Sequence, residues 1–64
     1  MKYLIVCFDE NESVLAWQEL KACYSDNAAV TEAFAFAITV DGTDYVEING
    51  EYELGVELVC QIHF

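Results

Sequence analysis

Positive charge is what this sequence has least of. Two lysines and no arginine stand against twelve carboxylates, a formal net charge of -10. That scarcity excludes direct binding to DNA, RNA or an anionic membrane, all of which are held by Lys and Arg. Long apolar runs are missing too, since no stretch approaches the ~20 apolar residues of a spanning helix. The apolar start of the chain is cut at Asp9, Glu10 and Glu12, leaving a run too short for the core of a secretory signal. Cysteine is sparse and odd in number: Cys7, Cys23 and Cys60. An odd count in a short chain is not a disulfide framework. Each sits among apolar neighbours, where a free thiol behaves as a small hydrophobe. Reduced thiols imply a cytoplasmic location.

Chemistry is equally thin. No second Cys or His pair stands in the sequence to complete a four-ligand zinc site with Cys60 and His63. Asp41-Gly42-Thr43-Asp44 is too short for a calcium loop. Cys60 and His63 are three apart on an expected strand, so they point to opposite faces and form no dyad. Cys60 is expected as a core thiol and His63 as an exposed ring. No Gly-rich phosphate loop and no triad is present, and a carboxylate pair of the glycosidase kind lacks a cleft to work in. The expectation is a protein that is not an enzyme and uses no cofactor or metal.

What is there is a core. Hydrophobic residues make up 56% of 64 residues, with four Phe, four Tyr and Trp17 among them. That length is one domain. So short a chain buries only about 60% of the surface it exposes when unfolded, yet its aromatic and β-branched content excludes disorder. A charge of -10 on such a body costs stability through self-repulsion, which points to a use for the charge. Its natural partner is a basic surface.

Residues 3–8 read as a strand apolar on both faces, central in a sheet or covered on both sides. Asn11 or Ser13 caps a helix expected over Val14–Tyr24, with Ala16, Trp17, Leu20, Cys23 and Tyr24 on its core face. Ser25-Asp26-Asn27 breaks that pattern, and residues 28–33 add a short helical turn. From Phe34 the period is two: Phe34, Phe36, Ile38 and Val40 alternate with Ala35, Ala37 and Thr39. Three-residue loops at Asp41-Gly42-Thr43 and Asn49-Gly50-Glu51 keep the apolar residues on one face. Tyr52, Leu54, Val56, Leu58, Cys60, Ile62 and Phe64 then share that face in a three-stranded meander. The expected fold is α+β, a single domain over 1–64 in the order β-α-β-β-β, with one helix packed on the apolar face of an antiparallel sheet.

In this register the far face carries Ala35, Ala37, Thr39, Tyr45, Glu47, Glu53, Gly55, Glu57, Gln61 and His63. Glu47 lies opposite Glu53, and Glu57 follows about 13 Å along the strand. Glu51 and Asp44 add charge near the turns, and Asp9, Glu10 and Glu12 extend the array at one end. Such spacings imitate backbone phosphates. Tyr45 is the expected aromatic contact residue, and small Ala35, Ala37 and Gly55 leave a flat patch.

A short, acidic, β-rich frame with cytoplasmic cysteines resembles the small acidic inhibitors encoded by bacteriophages, anti-CRISPR and anti-restriction proteins. The resemblance is compositional and covers the whole chain. It implies an inhibitor of a CRISPR effector, nuclease or other nucleic-acid-binding protein, filling its basic groove in the host cytoplasm. The rival readings are a small homo-oligomeric structural or accessory protein, including a homodimer through the first strand or the flat face, and a regulatory partner of one basic protein without mimicry.

Overall fold

The computed structural model describes residues 2–21 and 25–64. Two β-hairpins flank one helix: β1 (Lys2–Phe8), β2 (Val14–Leu20), α1 (Asp26–Ala37), β3 (Tyr45–Tyr52) and β4 (Gly55–His63). The sheet is fully antiparallel in the order β2-β1-β3-β4. The α+β class, the single helix and the antiparallel sheet agree with the sequence reading. The order is β-β-α-β-β rather than β-α-β-β-β, because the helix lies one segment later than expected. No helix among the described residues is long and apolar enough to cross a membrane.

β1 is central, as its two-sided apolar pattern suggests, and both its edges need partners. A tight turn brings the chain straight back to one of them. The Asp9 carboxylate accepts from the N–H groups of Asn11 and Ser13 at 2.8 and 2.9 Å. Glu12 takes the left-handed conformation at φ 63°. Glu10 and Glu12 therefore stand in a hairpin turn and not at a helix start. Val14–Leu20, expected as the first part of a helix, pairs instead with β1, Val6 opposite Trp17. Sheet pairing overrides a weak local helical preference, as tertiary context routinely does. Trp17, expected in the core, is 64% exposed. Cys23 and Tyr24 lie outside the described residues.

The helix begins where a turn was expected. Ser25 is its N-cap, accepting from the Ala28 N–H at 3.1 Å. The expected turn over 28–33 is the middle of this helix, and the strand expected from Phe34 is its end. Period-two spacing at 34–40 was compatible with a strand, but Ala29, Ala33 and Ala37 fall four apart and form one buried stripe. Three methyl groups make a flat helix face that sits close to the sheet. Opposite them lie Tyr3, Ile5, Cys7, Val46 and Ile48, all fully or almost fully buried. Tyr3 Oη donates to Asp26 Oδ1 at 2.7 Å, tying β1 to the first turn of α1. Phe34 and Ile38, expected inside, are exposed, while Phe36 and Val40 pack against the core. Asp41-Gly42, Gly42 at φ 86°, ends the segment, but as a helix-to-strand loop with no hairpin around it.

The second expected loop is also displaced. Gly50 is buried within β3, and the β3–β4 hairpin turns at Glu53-Leu54, closed by Tyr52 opposite Gly55. Ile48 pairs with Cys60 and Asn49 with Leu58, so Val59 is an extra residue, a β-bulge. The bulge splits the expected one-sided row. Cys60 and Ile62 pack on the core, whereas Leu54, Val56 and Leu58 are exposed.

Candidate functional site: the open sheet face

Residues paired directly across strands share a face, so the register assigns the side away from α1. Its rows run Phe8, Tyr45, His63; then Trp17, Val6, Glu47, Gln61; then Glu19, Leu4, Asn49, Leu58; then Lys2, Glu51, Val56. No element among the described residues covers it. β1 is apolar on both faces and only one is roofed by α1, which leaves Leu4, Val6 and Phe8 partly open.

At one end of this face three rings form a row across the strands. Phe8 stacks on Tyr45 with centroids 4.9 Å apart, and Tyr45 on His63 at 5.2 Å. Backbone hydrogen bonds hold this end together: Asp44 N–H donates to the Phe8 carbonyl at 2.8 Å and Phe64 N–H to the Asp44 carbonyl at 2.9 Å. Asp9, Glu10 and Asp44 line one shallow depression with Asn11, Gly42 and Thr43. The Tyr45 phenol is pushed above its ordinary 10.0, first by desolvation and then by the negative field of Glu12, Glu47, Asp44 and Asp9. Four carboxylates acting on one phenol mark this as an electronegative end of the molecule. Both lysines lie towards the other end, Lys2 opposite Glu51 and Lys21 3.9 Å from Glu19.

The expected carboxylate array is therefore divided. Asp9, Glu10, Glu12, Asp44, Tyr45 and Glu47 gather at the ring end, while Glu51 lies near the other end of β3, roughly 13 Å from Glu47 and 20 Å from Tyr45 at ~3.3 Å per residue, and Glu53 lies in the turn beyond it. Glu47 does not oppose Glu53. It faces Gln61, whose Nε2 donates to Glu47 Oε2 at 2.9 Å. Glu57 pairs with Gly50, in a row of the helix-covered face, and is exposed there. Tyr45 is half-buried between two rings, a member of a row and not a lone contact. The flat patch does not form either: Ala37 is buried, Ala35 is exposed on α1, and Gly55 closes the hairpin turn.

Sequence reasoning missed Phe8, Trp17, Leu4 and Val6 as surface residues. The available signal was the double apolar character of β1, which one helix cannot cover on both sides. Cys60 and His63 stand as expected, the thiol partly buried against the core and the ring exposed. Among the described residues no group of three or more His, Cys, Asp or Glu could hold a metal ion. Comparison with protein families, curated proteins and solved structures finds no match.

Proposed function

We propose that this chain is a protein-binding inhibitor that docks the ring end of its open sheet face onto a basic, nucleic-acid-binding surface. The observation that carries this reading is the Phe8–Tyr45–His63 row set among Asp9, Glu12, Asp44 and Glu47, on a body of charge -10. Aromatic anchors inside a polar rim are typical of binding hot spots. The stacked rings make a rigid apolar ridge for the aliphatic stems of Arg and Lys side chains, and the carboxylates around them steer and hold the charged heads. A basic groove that normally takes phosphates, as on a CRISPR effector or nuclease, presents such cations in quantity.

Self-association through this end is disfavoured, because it would set the carboxylates of one copy against those of another. The test is affinity for a candidate effector or nuclease by calorimetry, with and without a short nucleic acid in its groove. The expected result is competition with the nucleic acid and an affinity that falls steeply with salt. Asp44→Lys with Glu47→Lys should weaken binding at least about tenfold, and Tyr45→Ala by a similar factor. Binding that ignores both salt and these substitutions in a folded variant refutes the proposal.

A further inference from the structure

Beside the ring row the open sheet face holds an apolar groove of about 410 Å³, lined by Leu4, Val6, Val14, Trp17, Glu19 and Glu51. Leu4 and Val6 of β1 are its floor, and Val14 and Trp17 of β2 wall one side with their side chains exposed. Across β1 from Trp17 stands Glu47, so carboxylates flank the apolar floor from both β2 and β3. A continuous apolar strip rimmed by charge marks a contact surface.

The sheet itself restricts what can lie there. β1 is paired along both edges, so its peptide groups are spent inside the sheet. An extended segment laid over the floor would bury N–H and C=O groups without partners. A helix satisfies its own and offers side chains alone. Length fits as well: Leu4 to Phe8 is about 13 Å at ~3.3 Å per residue, the rise of roughly nine helical residues. That is room for apolar anchors at i, i+3 or i+4, and i+7. Charge decides the rest. Glu19, Glu47 and Glu51 repel a helix with acidic flanks, and repel a second copy through the same carboxylates. Lys2 lies opposite Glu51 and Lys21 is 3.9 Å from Glu19, which leaves the unbalanced charge at Glu47 and the ring end. We propose that the groove takes a basic amphipathic helix of a partner protein, its apolar stripe on Leu4, Val6 and Trp17 and its Lys or Arg residues towards Glu47. The inference rests on the reading of a basic partner and names the element of that partner that makes contact.

The probe is a tryptophan-free peptide of about 16 residues, leucines on one face and lysines on the other, only marginally helical alone. Trp17 is the single tryptophan of the chain and reports on the groove. Titrating the peptide into the full chain should move Trp17 emission to the blue and raise the peptide's helicity by circular dichroism. By calorimetry, a scrambled peptide of the same composition should bind at least about tenfold more weakly. Trp17→Ser should cost a similar factor. Glu19→Lys with Glu51→Lys should weaken binding about tenfold, which keeps the test valid if Trp17→Ser misfolds. Glu32→Lys with Glu57→Lys, the same change of charge at exposed positions on the helix side of the sheet, should cost much less. Equal binding of the scrambled peptide, an unmoved Trp17 emission, or equal losses from the two charge reversals overturns the proposal. Those results leave the inhibitor reading standing if the chain still competes with nucleic acid for an effector or nuclease. A peptide seated in the groove of a chain that never competes with nucleic acid sinks the inhibitor reading alone.

Discussion

Replacing Ala33 by leucine probes the seating of α1 on the sheet. Ala33 is fully buried at the middle of the stripe Ala29, Ala33, Ala37, and the sheet beneath it is filled by Tyr3, Ile5, Cys7, Val46 and Ile48. An isobutyl side chain in place of this fully buried methyl forces helix and sheet to separate or to adopt poor rotamers. Overpacking of this kind costs about 1–3 kcal/mol. The whole domain, at about 0.05–0.15 kcal/mol per residue, holds roughly 3–10 kcal/mol. With a urea dependence near the low end for small proteins, ~1 kcal/mol per molar, the midpoint should fall by about 1–3 M. Far-UV circular dichroism is the suitable signal, because exposed Trp17 reports unfolding poorly. Ala35→Leu, two residues along and exposed, is the control, with an expected change within ~0.5 kcal/mol. If Ala33→Leu is neutral, or Ala35→Leu costs as much, α1 is not seated on its alanine stripe and the reasoning fails.

Two further outcomes follow from single residues. Glu12 holds φ 63° in the β1–β2 turn, so Glu12→Gly should stabilise the fold by about 0.5–1 kcal/mol, read as a raised denaturation midpoint. Stability should also fall in alkali. Burial lifts the Cys7 thiol above its ordinary 9.0, partly opposed by its hydrogen bond to Thr43, and Tyr45 is lifted above 10.0. Above pH ~9 the unfolded chain gives up these protons before the folded one does. Stability is therefore full below that pH and is lost as pH rises through the folded values. Denaturation midpoints measured from pH 8 upward should show the decline, and Cys7→Ala should remove its earlier part.

Legibility in the sequence varied segment by segment. β1 was plain because Tyr3–Phe8 is apolar at every position, a pattern suited to a central strand. Val14–Leu20 and Phe34–Val40 were read with their types exchanged. Ala16, Trp17 and Leu20 fit a helical face, and Phe34, Phe36, Ile38 and Val40 fit a strand. In neither segment does local periodicity separate the two. The better guide to the helix was Ser25 as a cap followed by alanines four apart. At the candidate site, Asp9, Glu12, Asp44, Tyr45 and Glu47 were legible as acidic surface residues with an aromatic among them. Their company was not. The pairing of Glu47 with Glu53 failed because β3 runs on through Gly50 and the bulge at Val59 changes the faces of β4.

By itself the sequence determined the electronegative character of the molecule and its small α+β class, and it left the first strand either central in the sheet or covered on both sides. Charge is a sum over residues, and a strand apolar on both faces has few other places to go. Only the tertiary structure decided which segment became the helix and which face was left open. Both edges of β1 had to find partners, and Val14–Leu20 was the first segment a tight turn could return to one of them. That pairing left the alanine stripe of Asp26–Ala37 to cover one face. The other face kept Phe8, Tyr45 and His63 in line, a row set by strand register among residues 55 positions apart in the chain.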